Sequence, residues 1–220
     1  MRQSSESLAE VASLTLKLTG LTPLETNAVT PSALNQLWLR GDFQNSYTAI
    51  SDHVSATWRE NFIQTYLERD IPQFGLRHSF SVTLRRFLTM LAHFQATTVN
   101  ISKLATNLDL SSTTIKRYLD LLVDLLLVHL LEPWYANNGK QLIKWPKIYI
   151  RDSGLLHQLL NIPDFDALLA HPVVGAGWEG FLVENLSHGP RSYRDFFLSN
   201  CWGAEIDVLP HMPGQECLGH

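Results

Sequence analysis

At 220 residues, with 45% hydrophobic and 17% charged residues and a net charge of -4, the chain has ordinary globular composition and room for one or two domains. Its most apolar stretch, 121–131, is interrupted by Asp124 and His129, and no apolar run reaches the length of a membrane span; no basic start followed by an apolar segment marks a secretory signal. Two cysteines, Cys201 and Cys217, are too few for a disulfide framework and point to reduced thiols in a cytoplasm.

Residues 1–56 read poorly as an independent unit. They hold a short helical piece at 4–9, an alternating stretch at 13–18 and a polar loop, then a short apolar turn at 34–39 and Gly41-Asp42-Phe43. The first strong helix is predicted over 57–71, with Trp58, Phe62, Ile63, Tyr66 and Leu67 on one face and Pro72 as its stop. A second amphipathic helix is predicted over 81–95, capped by Ser81, with Leu84, Phe87, Leu88, Leu91 and Phe94 inward and Arg85 and Arg86 outward.

The best-defined stretch is 101–134. Ile101, Leu104, Ala105 and Leu108 lie at helical spacing, the pattern breaks at Asp109-Leu110, and Ser111 or Ser112 is placed to cap a second helix carrying Ile115, Tyr118, Leu119, Leu122, Leu125 and Leu126. This is the spacing of a helix-turn-helix, with Asp109 where glycine is most common. A strand at 128–134, a turn at 136–139 and a second strand within 141–150 then predict a hairpin, or wing.

In DNA-binding proteins of this kind the second helix enters the major groove with its N-terminal end foremost. Here that end presents Ser111, Ser112, Thr113, Thr114, Lys116 and Arg117, hydroxyl and cationic groups suited to phosphates and base edges. Lys140, Lys144 and Lys147 on the wing extend the candidate nucleic-acid surface. Residues 101–151 hold seven basic and four acidic side chains, a net +3, which leaves -7 for the remainder. The expected partner is duplex DNA; the rival reading is a solvated face on a protein-docking module.

Beyond Asp152 a helix is predicted through Leu155, Leu156, Leu159 and Leu160 to Pro163, continuing at 165–170. Another follows at 178–186 with Glu179 and Glu184, then strands at 194–198 and 204–209, and an unstructured tail at 210–220. No P-loop, H-E-x-x-H or G-x-S-x-G pattern occurs, so triphosphate hydrolysis, zinc-dependent catalysis and a nucleophile elbow find no support in this chain.

Five phrases together carry a family resemblance: WRENFIQTYLERDIPQ (58–73), LSSTTIKRYLDLL (110–122), KIYIRDSGLLHQLL (147–160), HPVVGAGWEGFLVENL (171–186) and GAEIDVL (203–209). With RQSSESLA at 2–9, they resemble the C-terminal half of AAA+ family ATPases that carry the domain of unknown function 4143. The resemblance implies a mainly α fold with a winged helix-turn-helix, followed by a truncated α/β end similar to the PD-(D/E)xK nucleases. It divides the chain into an ATPase remnant and linker (1–56), the helical winged region (57–152), the nuclease-like end (153–209) and the tail (210–220).

ATP and Mg belong, on this resemblance, to full-length relatives, and no cofactor is expected in this chain. Glu184 and Asp207, with Glu205 beside the latter, would be the carboxylates of a weakly held divalent ion. The Glu-x-Lys strand that completes such sites is missing, because no Lys follows Lys147. The expectation is therefore a non-catalytic DNA-binding or protein-docking module, with an inactive nuclease remnant as the third reading.

Overall fold

A computed structural model describes residues 20–70, 80–133, 145–187, 194–199 and 205–211. Helix α1, Pro31–Arg40, is capped by Thr30, whose side chain accepts from the Ala33 N–H, and it ends at Gly41 with φ 82°. A single turn, α2 (Gln44–Tyr47), leads to α3 (Asp52–Phe62), capped by Ser51 and continued by the wider π-helical segment Ile63–Asp70. The helix expected over 57–71 thus begins five residues earlier. The capping serine is its start signal, and Pro72, its predicted stop, lies outside the described residues.

Helix α4, Phe80–His93, starts one residue before the predicted cap Ser81, which therefore sits inside the helix. A two-residue strand, β1 (Thr97–Thr98), precedes α5 (Ile101–Leu108) and α6 (Ser112–Asp124). Strands β2 (Val128–Pro133) and β3 (Lys147–Ile150) pair antiparallel, with Val128 opposite Ile150 and Leu131 opposite Lys147, and β1 pairs antiparallel with the outer side of β3. The predicted turn 136–139 lies outside the described residues.

Helices α7 (Ser153–Leu159), α8 (Phe165–Ala170) and α9 (Val174–Ser187) follow, the first two capped by Asp152 and Asp164. Strand β4 (Arg194–Ser199) runs parallel to β2, and β5 (Glu205–His211) antiparallel to β4, so one sheet has the order β1-β3-β2-β4-β5. Pro210 and His211, assigned to the tail in the sequence reading, belong to β5.

The boundaries drawn at 56/57 and 152/153 pass through a shared core. One buried cluster joins Leu37 and Trp38 of α1, Phe87 and Leu91 of α4, Ile115 and Leu122 of α6, Leu156 of α7 and Phe181 of α9. Strand β2, which follows α6, joins β3 to the terminal strands in one sheet. Among the described residues no helix is long and apolar enough to cross a membrane.

The turn between α5 and α6 closes at Asp109. Asp109 adopts the left-handed conformation (φ 55°, ψ 45°), its N–H bonds the Thr106 carbonyl at 3.3 Å, and the Leu110 N–H reaches back to Ala105 at 3.0 Å. An L-residue is strained in this region, where glycine is not. Asp109→Gly is expected to stabilise the fold by about 0.5–1 kcal/mol in urea unfolding, and Asp109→Val to destabilise it.

Candidate nucleic-acid interface and a buried carboxyl pair

On α6 the inner side chains Ile115, Leu119 and Leu122 are buried, which turns Ser112, Thr113, Lys116 and Arg117 to solvent. Ser111 is exposed at the cap, where its Oγ accepts from the Thr114 N–H at 3.0 Å. Neither Lys116 nor Arg117 makes an ion pair among the described residues. The N-terminal end of this helix therefore presents two hydroxyls and two cations side by side.

The rest of the predicted basic surface is altered by the fold. Lys147 is buried at 3% exposure, and its Nζ lies 3.3 Å from Glu179 on α9, where the Tyr149 hydroxyl also donates. Strand β3 lies between β1 and β2, and all four of its residues are buried, so the alternation read in Lys147-Ile148-Tyr149-Ile150 does not give it a solvent face. Arg151 is bound to Glu184. Lys140 and Lys144 lie outside the described residues.

On α5, α6 and the turn between them, exposed Lys103, Lys116 and Arg117 stand against exposed Asp109, Asp120 and Asp124, and the two signs balance. The net +3 counted along the chain is therefore not carried by this described surface. What persists is a polarity within α6: its cations lie at the N-terminal end, whereas Asp120 and Asp124 lie toward the other.

Glu184, the helix carboxylate of the nuclease-like expectation, is 5% exposed. Burial works to raise its pKa, but hydrogen bonds from His129 (3.3 Å) and Arg151 (2.7 Å), with the guanidinium charge, outweigh it and hold the carboxyl below its ordinary range. Its oxygens are committed to these partners, so it is a poor metal ligand here. Asp207 falls on β5, and its side chain lies outside the described part of the structure. Among the described residues no group of three or more His, Cys, Asp or Glu side chains is placed to hold a metal ion.

A second constellation, absent from the sequence reading, forms where the end of α1 meets the start of α7. Asp152 caps α7 through the Leu155 N–H and also accepts from the Asp42 N–H at 2.7 Å, joining residues 110 positions apart. The approach is close because two glycines permit it. A Cβ on Gly154 would lie 2.2 Å from the Arg40 carbonyl oxygen, and one on Gly41 would lie 2.3 Å from Asp152 Oδ2.

The Asp42 carboxyl is thereby set against that of Asp152. Burial first, and then the charge and hydrogen bonding of Asp152, push the Asp42 pKa up to about 10. Asp42 keeps its proton at neutral pH, and the two groups form a carboxyl pair in which Asp152 is buried and Asp42 half-buried. The pair borders a cavity of about 480 Å³, with Arg151 and Glu184 on the same wall and Phe43, Phe62 and Tyr66 among its apolar lining.

Arg59 and His157 are also buried polar side chains and bond the end of α1. Arg59, 1% exposed, donates to the carbonyls of Leu39 and Arg40 at the end of α1 and to Ser46 and Ser55. His157, fully buried, is pushed down to about 4 by burial against the opposing effect of its Nδ1 hydrogen bond to the Leu39 carbonyl.

With this geometry in view, residues 31–166 match the family described as a domain of unknown function, DUF8612. The chain belongs to that family. The match corrects the resemblance to AAA+ ATPases carrying the domain of unknown function 4143: the phrases that suggested it fall on amphipathic helices and short strands, elements that different families share.

Two relatives, an uncharacterized protein of Mycobacterium tuberculosis and one of Mycobacterium bovis, are each 44% identical over 212 residues. The alignments cover 96% of this chain and 47% of either relative, so the DUF8612 chain spans about half the length of the curated relatives it matches. No solved structure matches it.

The signals for the carboxyl pair were present but local. Asp152 before Ser153-Gly154 is a helix cap, and Gly41-Asp42 is a helix end. Their meeting required the tertiary fold.

Proposed function

We propose that this DUF8612 chain is a non-catalytic, DNA-binding module of a cytoplasmic protein, using α6 as the element that enters the major groove. The observation that carries the reading is the exposed N-terminal end of α6, with Ser112, Thr113, Lys116 and Arg117 uncommitted to the packing that holds Ile115 and Leu119. The element order α4-β1-α5-α6-β2-β3, with β3 between β1 and β2, supports a winged helix-turn-helix reading. Asp120 and Asp124 lie toward the other end of the helix and would remain outside the groove.

Binding should be salt-sensitive, because phosphate contacts release condensed counterions. In mobility-shift titrations with mixed-sequence duplex DNA, Lys116→Glu combined with Arg117→Glu is expected to weaken binding at least ~10-fold. It should also reduce the salt slope by about 2. Unchanged affinity in the folded double variant removes the proposal.

A second reading, a protein-docking module, has its own observation. Leu182 and Leu186 lie one helical turn apart on α9 and are 41% and 59% exposed. It predicts no DNA shift even at low salt.

A further inference from the structure

We propose that the cavity beside Asp42 is a binding site for a small organic cation, a primary ammonium group carried on an apolar or aromatic body. This site is separate from the α6 face and does not depend on DNA binding.

The shape and lining set the class of ligand. A cavity of about 480 Å³ is in the range that encloses a small molecule. Leu21, Phe43, Phe62, Tyr66, Leu127 and Leu155 supply apolar wall, which fits a hydrocarbon or aromatic body. The rings of Phe43 and Phe62 lie 4.8 Å apart, and those of Phe62 and Tyr66 stack at 5.1 Å. Their faces carry the negative part of the ring quadrupole and favour a cation close to them.

The polar wall points to the same sign. Arg151 and Glu184 neutralise each other, with His129 on the remaining Glu184 oxygen. Asp152 has its two oxygens on the Leu155 and Asp42 N–H groups. The buried Arg59 guanidinium is committed to the Arg40 carbonyl and the Ser55 hydroxyl, and that of Arg40 to Asp52. The carboxyl groups of Asp42 and Asp152, both on the cavity wall, are left with no ion-pair partner among the described residues. An anionic ligand would meet like charge, whereas a neutral apolar one would leave the carboxyls without a partner.

An ammonium group donates where Asp42 now donates. Its binding releases the Asp42 proton to solvent, so that RNH₃⁺ plus the Asp42 carboxylic acid gives RNH₃⁺ held by the Asp42 carboxylate plus one H⁺. Affinity therefore rises with pH.

The test uses the full chain in calorimetric titrations with benzylamine, benzyl alcohol and benzoate. Benzylamine should bind saturably, at least ~10-fold tighter than either analogue. Release of about one proton should strengthen binding by about tenfold per pH unit between roughly pH 6 and 8.5. Asp42→Asn should abolish the pH dependence, and Leu21→Trp, which fills the cavity, should abolish binding. Benzylamine binding no tighter than benzyl alcohol, a pH-independent affinity, or unchanged binding in the folded Leu21→Trp variant overturns the proposal.

Discussion

Arg59→Met is expected to lower the stability of the chain by about 3 kcal/mol, measured as a shift in the urea midpoint at constant m-value. The Arg59 side chain is almost wholly buried, and its Nη1 lies 3.2 Å from the Arg40 carbonyl, 3.5 Å from that of Leu39 and 2.8 Å from the Ser55 hydroxyl. These carbonyls belong to the last turn of α1, where backbone acceptors lack helical partners and the helix carries partial negative charge.

Some of the loss is cushioned. The Arg40 carbonyl also accepts from Ser46 Oγ at 2.6 Å, and the Leu39 carbonyl from His157 Nδ1 at 3.1 Å. Methionine fills most of the space and removes the cost of burying a charge. The net effect should therefore fall below that of breaking a fully buried ion pair. A loss under about 1 kcal/mol would show that the serine and histidine donors suffice to close the end of α1.

The second large effect is on pH. Asp42 has its folded pKa pushed up to about 10 from an ordinary 3.8, so the folded chain holds a proton that the unfolded chain releases. Its stabilising contribution is complete below the unfolded value and is lost as pH rises toward the folded one. His157 acts in the opposite direction: its folded value, near 4, lies below the ordinary 6.5, so its contribution is present above 6.5 and lost as pH falls toward 4.

Between about pH 4 and 6.5 the two slopes oppose each other, and above 6.5 only the Asp42 slope remains. Thermal unfolding should therefore show a broad maximum on the acid side of neutrality, with Tm falling by roughly 10 °C or more between pH 6.5 and 9. Asp42→Asn replaces the protonated acid with an amide that can still donate to Asp152. It should reduce that fall by at least about half and raise Tm at pH 9. An identical pH profile in the variant would mean that Asp42 ionises freely in the folded chain.

Both effects arise at the same junction, where α1 ends over the start of α7. The DUF8612 match begins with α1 and runs past α7, so it spans this junction as well as α5 and α6. Gly41, Asp42, Asp152 and Gly154 act there as one unit: the glycines allow the backbones to approach, and the aspartates fill the space left between them.

Local structure was the most legible part of the chain. Helices α5 and α6 and the turn between them follow from apolar residues at 101, 104, 105 and 108, a polar break at 109 and a serine cap at 111, and each of these acts between residues at most a few positions apart. Such features depend on backbone sterics and neighbouring side chains, which a linear reading contains. The two-residue β1 was missed because two threonines carry no measurable period; it forms as the edge partner of β3.

The sequence by itself determined where helices begin and turn, and which side of α6 is apolar. The tertiary structure decided the charge of the surface and the position of the polar core. Lys147 and Arg151 counted as surface cations until β3 packed against α9 and set them on Glu179 and Glu184. Asp42 and Asp152, 110 residues apart, became a carboxyl pair only when α1 met α7. Burial and long-range pairing set the effective charge of an ionisable group, and neither is encoded in the spacing of neighbouring residues.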